Sequence, residues 1–406
     1  LPGTPTYRDY WIGPTPLLPA CPMPAPRQYE AQQPPLYYLL MSPVYRLVQH
    51  HSIPTRLLAI RLASVLLAST VLLSLHAVAA RLRLGRQLSA LALLAASASP
   101  GLLIDIARAG NESLAIALVS ALLLAALHCL CRPHHRGPWA ALGLLAAAAL
   151  LTKAYALAFL PVIVLIAFCV PRRASANALL AAVPVLAAAA LWYPAVWRET
   201  HTLSGEQFDI ALSRLALPER LAAITRVDWL QVLDIAAFTH IWTGGWSFLV
   251  ARSWMYRAIE LLAVIAALGL LRAAARRNRR AFILLAFLLP MAAVLAYHAL
   301  AAYAATGDST AIGWYFYAVA AAESAAAALG FQVLFGPRRA PYALALLPLL
   351  FVILDLYTVP AVLIPAYTAA RLPASVVLAR LAHPWSLPPG LMRSEARRVG
   401  TECRSR

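Results

Sequence analysis

The sequence Tyr29-Glu30-Ala31-Gln32-Gln33-Pro34-Pro35-Leu36-Tyr37-Tyr38-Leu39-Leu40 changes from polar to apolar at two prolines. Proline is tolerated in the first turn of a helix, because the N–H that it lacks has no helical partner there. We therefore predict a helix that begins at Pro35, with one carboxylate and two amides held just before it. Most of the chain after this point is apolar, which places the stretch at a boundary between lipid and water.

The composition is that of a membrane protein. Of the 406 residues, 62% are hydrophobic and only 12% are charged, and the mean hydropathy is +0.71. These values are typical of membrane proteins, and ten segments long and apolar enough to span a bilayer predict an all-α polytopic membrane protein with about ten transmembrane helices and outer-face loops. The predicted spans are residues 57–80, 87–104, 113–131, 138–151, 154–170, 176–196, 254–271, 281–303, 313–335 and 341–361.

Two parts of this layout are less regular. Residues 1–54 are expected to form an outer-face loop that includes a short interfacial helix over 35–51, because this segment is short and contains Pro43. The transmembrane domain then covers residues 55–392. Its fourth and fifth spans form one apolar run that is interrupted at Lys153, and we predict two short helices that meet there at a turn.

The distribution of arginine orients the helices. Arginine accounts for all but one of the 34 basic residues, the exception being Lys153. Fourteen arginines occupy alternate short connections, which the positive-inside rule assigns to the cytoplasm: Arg81, Arg83, Arg86, Arg132, Arg136, Arg172, Arg173, Arg272, Arg276, Arg277, Arg279, Arg280, Arg338 and Arg339. The other connections, including the long loop 198–253, then share the outer face, and we expect a multi-pass protein of a bacterial inner (plasma) membrane.

The two ends of the sequence give separate expectations. The chain starts at Leu1 rather than methionine, and we expect a further helix before it. Residues 393–406 change composition abruptly, and we interpret them as a non-native tail that has no part in function.

The polar residues of the outer face are the candidates for chemistry. Ionisable groups at a membrane are costly and point to function, although each also has a structural interpretation. Glu30 is also compatible with an ordinary solvated loop, and Arg108 with balancing the charge of Asp105. Asn111 is favoured as the N-cap of the helix that follows it. Lys153 suits a lipid phosphate, since its ammonium is compact and rotatable.

The remaining ionisable residues favour structural roles. The five cysteines and ten histidines show no metal-ligand spacing, so neither a divalent metal nor another cofactor is predicted. Arg257 and Glu260 are three residues apart and are expected to pair. Glu323 and Asp355 are expected to form interhelical hydrogen bonds or to line a cavity. No nucleic-acid-binding motif is present, so nucleic acid is not an expected partner.

A family resemblance emerges from four segments taken in order. The segment from Glu30 to Tyr38 resembles the acidic/His-Pro-Pro-Leu-x-Tyr motif of GT-C membrane glycosyltransferases, which include protein mannosyltransferases and aminoarabinose-type lipid transferases. Three further segments are similar to later landmarks of that family: Arg61-Leu62, Asn111-Glu112-Ser113-Leu114 and Leu142 to Lys153. The similarity is spread over about residues 29–320, where Gly313-Trp314-Tyr315-Phe316-Tyr317 replaces a commoner Gly-Arg-Tyr-Leu. Gln33 stands where the family often has histidine.

The resemblance implies a mechanism and a set of partners. Such enzymes take a sugar from a polyprenyl-phosphate donor and pass it to a lipid, glycan or protein acceptor at the outer face. A carboxylate serves as general base and cations stabilise the departing phosphate. The resemblance assigns the base to an acid of the family's first outer loop, which we expect before Leu1, with the catalytic candidates Glu30 and Asp105 assisting it or orienting the acceptor. Substrate would be bound by a set of polar and aromatic residues: Gln33, Tyr37, Tyr38, Arg108 and Lys153.

Two alternatives remain open at this stage. One is a transporter or flippase of a lipid-linked or amphiphilic substrate, which would be expected to show internal repeats and broken helices at mid-membrane. The other is a catalytically silent membrane component.

Overall fold

The computed structural model describes residues 32–368, which are almost entirely helical. In chain order the first eight α-helices are α1 Leu36–Val48, α2 Ile53–Arg81, α3 Arg86–Ala98, α4 Pro100–Ile106, α5 Glu112–Cys131, α6 Arg136–Leu150, α7 Leu160–Cys169 and α8 Arg172–Ser175. The other eight are α9 Ala178–Thr200, α10 Gln207–Arg214, α11 Leu217–Arg226, α12 Trp229–Ile241, α13 Ser253–Ala275, α14 Arg279–Thr306, α15 Ala320–Thr358 and α16 Ile364–Thr368. Three 3-10 segments join them: Ala154–Phe159, Gly245–Ser247 and Gly313–Val319.

The long helices have the length and surface of membrane spans. Within residues 32–368, six helical segments are long and apolar enough to cross a membrane, or seven if the bent pair α3–α4 is one span. Their outward faces carry large apolar side chains, for example Leu66 and Leu191, each more than 70% exposed. Apolar surface on this scale requires a lipid environment. The structure therefore supports a helical membrane protein, with fewer uninterrupted spans than the ten that the sequence predicts.

Two breaks account for part of this difference. The predicted span 87–104 bends by 61° between α3 and α4, because Pro100 has no N–H to continue the hydrogen bonding of α3. Helix α15 is interrupted at Gly336, which has φ 74°, a conformation that glycine adopts without strain. Ala327 and Phe351, on either side of it, line one cavity, although a straight helix would hold them about 36 Å apart. Helix α15 is therefore a helical hairpin.

Several expectations about local structure are confirmed. The interfacial segment forms α1, and α6 and α7 are two short helices on either side of a turn at Lys153. In addition to these predicted elements, the long loop 198–253 contains three short helices, α10 to α12. The predictions for residues 1–31 and for the tail 393–406 lie outside the described residues.

Helix α5 is the central span and fixes where the site lies. Two thirds of its apolar window is buried inside the protein, far more than in the other candidate spans, and it packs against α2 and α6. Its 20 residues run from Glu112 to Cys131, beside Arg132, which separates the two ends by about 30 Å. Helix α6 runs back from Arg136 to Leu150, beside Lys153. Glu112 and Lys153 therefore lie at the helix ends opposite the arginine-rich connection that contains Arg132 and Arg136.

Candidate functional site

Four side chains from three distant parts of the sequence meet at this end of the helices. The Lys153 ammonium donates to both carboxylate oxygens of Glu112, at 2.7 and 2.8 Å, and to Asn111 Oδ1 at 3.0 Å. The Asn111 amide donates to Gln33 Oε1 at 3.2 Å and to the Thr152 carbonyl at 3.1 Å. We call Gln33, Asn111, Glu112 and Lys153 the Lys153 cluster. Each of them is at least 90% buried.

Backbone geometry places these side chains. Helix α6 ends at Leu150, and the turn that follows leaves Lys153 extended, with φ −152° and ψ 135°. Leu36 is the first residue after the two prolines that has an N–H, and it donates to the Leu151 carbonyl at 2.8 Å. The start of α1 is thereby attached to the end of α6. This attachment brings Gln33 beside Asn111.

Within the Lys153 cluster the charge and the hydrogen-bond donors of Lys153 are matched by its neighbours. Lys153 has three N–H donors, and all three have acceptors, while the neighbouring carboxylate of Glu112 balances its charge. The rings of Tyr315 and Tyr155 lie 5.4 and 6.0 Å from the ammonium, within the range of cation–π attraction. A buried ion pair is retained only when its hydrogen bonds offset the loss of hydration, and this pair meets that condition.

The cluster forms part of the wall of a large cavity, which we call the polar cavity. It has a volume of about 710 Å³, and Gln33 and Lys153 line one side of it. Its aromatic lining includes Tyr155, Trp197 and Tyr315. Cavities of this size with a few convergent polar groups commonly bind small molecules.

The opposite side of the polar cavity comes from the long loop 198–253 and from α14. Asp209 on α10 is buried and accepts a hydrogen bond from Ser204, and Tyr297 on α14 also bonds it. Burial raises the pKa of the Asp209 carboxyl above its ordinary value, although the bonds from Ser204 and Tyr297 act in the other direction. The cavity therefore has Lys153 on one wall, and on the other the buried carboxyl of Asp209 together with Glu206 and Arg220.

Asp105 and Arg108 form a separate site. They make an ion pair in a small cavity of about 20 Å³ that Trp314 also lines, as the sequence analysis allowed. The Arg108 guanidinium lies 5.3 Å from the Trp314 ring centre. Burial lowers the pKa of Arg108, against the attraction of Glu112 and Tyr315. One Asp105 oxygen is buried with no hydrogen-bond partner among the described residues.

The remaining predicted site residues do not reach the polar cavity. Tyr37 is buried between α1 and α2, where its hydroxyl lies 2.8 Å from Ser64 Oγ. Tyr38 is 41% exposed and packs edge-on against Tyr37. Neither tyrosine lines the polar cavity, the small cavity beside Asp105 or the cavity between the arms of α15. Glu30 lies outside the described residues.

The structure changes the interpretation of Asn111 and adds two carboxylates. Asn111 occupies the N-cap position of α5 but makes no capping hydrogen bond, because its side chain is already engaged with Gln33, Thr152 and Lys153. Glu112 is the partner of Lys153, and the only sequence signal for it was its place within the Asn111-Glu112-Ser113-Leu114 landmark. Asp209 had no signal, since it follows no motif and its partners come from other segments.

Other ionisable residues pair as follows. Arg257 binds Glu260 at 2.6 Å, which confirms that prediction, and also binds Asp234. Glu323 accepts from His240 at 2.9 Å across two helices and also lines a cavity. Within residues 32–368 no group of three or more His, Cys, Asp or Glu side chains is arranged to hold a metal ion.

No protein-family model, curated protein or solved structure matches this chain.

Proposed function

We propose that the chain is an integral-membrane glycosyltransferase of the GT-C type, which transfers a sugar from a polyprenyl-phosphate donor to a lipid, glycan or protein acceptor at the outer face. The observation that carries the proposal is the Lys153 cluster. Three of the segments that resemble the family landmarks are far apart in sequence, yet they supply Gln33, Asn111, Glu112 and Lys153 to one network. That network borders the polar cavity.

The cavity supports a division of roles. In the proposed reaction an acceptor oxygen attacks the sugar carbon that bears the phosphate, the carbon–oxygen bond to phosphate breaks, and the acceptor proton passes to a carboxylate. Lys153 lines the cavity beside the segments that resemble the family landmarks, so we assign it to the departing phosphate, for which its ammonium would exchange one of its hydrogen bonds within the Lys153 cluster. Glu112 and Asn111 fix the position of its ammonium.

The carboxylate roles are revised by the geometry. Glu30 remains our proposed acid for the acceptor, on the resemblance of the segment from Glu30 to Tyr38 to the family motif. Asp105 and Arg108 lie in their own small cavity, so we assign them to holding the outer end of α4. Asp209 lines the polar cavity and enters the proposal as a group that binds the acceptor.

We also propose ten membrane crossings in a bacterial inner membrane. The six long segments become seven when the hairpin α15 counts twice, and eight with the bent pair α3–α4. The two shorter apolar segments, Arg136–Leu150 and Ala154–Cys169, bring the number to ten. The support is that the Lys153 cluster and the arginine-rich connections lie at opposite helix ends.

The test is sugar transfer by Lys153→Met with a polyprenyl-phosphate donor whose sugar is radiolabelled. Removing one preorganised group that stabilises a departing oxyanion typically lowers the reaction rate about 100-fold or more. We expect Lys153→Met to lower the rate of sugar transfer by a factor of that order. Arg198→Met is the matched control, since it removes a positive charge from an exposed position outside the polar cavity. It should retain transfer.

A second variant separates chemistry from folding. Glu112→Leu combined with Lys153→Met removes both charges and leaves no unpaired ion, so it should fold normally and remain inactive. Transfer by this double variant at the wild-type rate would remove Lys153 from the site. Absence of any transfer by the wild-type chain with every donor would argue against the proposed function itself.

A further inference from the structure

A second cavity lies on the other side of the 3-10 segment Gly313–Val319, and we call it the apolar crevice. It has a volume of about 360 Å³, and residues of α3, α12, α13 and both arms of the α15 hairpin line it. Alanine is the most frequent residue of its lining, and the alanines include Ala263 and Ala267 on α13 and Ala327 on α15. Neither Lys153 nor Asp209 lines it.

The crevice is formed by the way α13 and α15 cross. A Cβ atom on Gly269 would overlap the Gly330 carbonyl, and one on Gly330 would overlap the Ala266 carbonyl, so the two backbones are in contact there. The crevice occupies the side of this crossing toward the outer face, where both helices begin. Small alanine side chains leave the space between them open.

The dimensions of the crevice match one leaflet of a bilayer. Its lining on α13 extends from Ile259 to Leu270, a rise of about 17 Å. This is roughly half of a hydrocarbon core of about 30 Å. Because its walls are helices with the length and apolarity of membrane spans, the bilayer is the source from which a ligand would enter.

Charged groups occur only at the outer end of the crevice. His240, Glu260 and Glu323 line it there, and the side chain of Glu323 remains 39% exposed. Asp234 and Arg257 stand next to them and pair with one another. Three carboxylates therefore face one guanidinium and one imidazole, which favours a ligand with positive charge and N–H donors.

We propose that the apolar crevice binds one hydrocarbon chain of an outer-leaflet lipid whose headgroup carries a primary ammonium, and that this ammonium donates to Glu323. The site is distinct from the polar cavity and does not depend on the glycosyltransferase proposal. Phosphatidylethanolamine has this chemistry. Phosphatidylglycerol has the same chains without the ammonium and is the matched comparison.

The experiment measures binding of dioleoyl phosphatidylethanolamine and dioleoyl phosphatidylglycerol to the full chain in detergent micelles, by native mass spectrometry over a lipid titration. A charge-assisted hydrogen bond is worth about 1.5–3 kcal/mol, so the wild type should prefer the ethanolamine lipid by about tenfold or more. Glu323→Gln keeps a group that can bond His240 but removes the charge. It should bring the two lipids to nearly equal affinity.

Two substitutions that fill the apolar crevice test where the hydrocarbon chain of the lipid binds. Ala263→Phe places a ring in the crevice and should weaken the binding of both lipids. Val264→Phe should leave lipid binding unchanged, because Val264 is the next residue of α13 and lies outside the crevice lining. Ala327→Leu fills the crevice from α15 and provides the same test if Ala263→Phe does not fold. If the crevice-filling variant and Val264→Phe bound the lipids equally well, the hydrocarbon chain would not occupy the crevice. An unchanged preference in Glu323→Gln, or none in the wild type, would overturn the headgroup assignment.

Discussion

The Lys153–Glu112 pair gives the most stringent test of the packing at the site. Each group is about nine-tenths buried as a side chain, so removing one partner leaves the other charged and without compensation. Breaking a buried pair in this way typically costs about 3–5 kcal/mol. We therefore expect Lys153→Met and Glu112→Leu each to destabilise the fold by about that amount, or about a 100-fold or greater shift in the folding equilibrium.

The double variant should behave very differently. Replacing both partners of a buried ion pair by apolar residues of similar volume is often neutral or stabilising. Glu112→Leu with Lys153→Met should therefore unfold at nearly the wild-type denaturant concentration, far from the sum of the single effects. Such non-additivity measures the energetic coupling of the two residues.

The assay is unfolding of the detergent-solubilised protein by sodium dodecyl sulfate, followed by tryptophan fluorescence and circular dichroism. Arg257→Met and Glu260→Gln form the control cycle, because Arg257 is exposed and exposed pairs contribute little. If the Lys153–Glu112 cycle were additive, or no larger than this control, the ion pair would not have the buried environment on which the site depends.

The remaining predictions concern other parts of the molecule. Gly330→Ala should destabilise the fold by about 1–3 kcal/mol or more through overpacking, whereas Gly110→Ala, which meets no atom within 4 Å, should be close to neutral in the same unfolding assay. The raised pKa of Asp209 means that the folded state holds the proton more tightly than the unfolded state, so wild-type stability is lost as the pH rises from about 4 through the folded pKa. Asp209→Asn should therefore have the higher melting temperature at neutral pH, with the difference disappearing near pH 3, and parallel curves for the two proteins would contradict it. In intact cells carrying a variant without native cysteines, a membrane-impermeant maleimide should label Asp308→Cys and not Arg277→Cys; the reverse pattern would invert the proposed orientation.

The sequence is most informative about features that depend on neighbouring residues. Apolar length predicts the helices, the two prolines predict the start of α1, and Gly336 with Arg338 and Arg339 marks the break in α15. Lys153 is conspicuous because it is the one lysine in a chain that otherwise uses arginine and because it interrupts an apolar run. These are all signals that can be read along the chain.

The partners at the site depend instead on tertiary packing. Asn111 precedes a helix and has the residue type of an N-cap, so local reasoning gave it that role, whereas the approach of α6 and of Gln33 supplies stronger partners. Glu112 lies 41 positions from Lys153, and nothing in either segment indicates the other. The same holds for Asp209 and Tyr297, which meet only because α10 packs against α14.

The hydrogen bond from Leu36 N–H to the Leu151 carbonyl has a consequence for mutational scanning. It joins the start of one helix to the end of another through main-chain atoms alone, and both are groups that a helix terminus leaves without an internal partner. Exchanging the side chain at either position leaves both atoms in place, so a substitution scan would score these positions as tolerant. Only a change that removes the donor, such as Leu36→Pro, would reveal that the architecture depends on this joint.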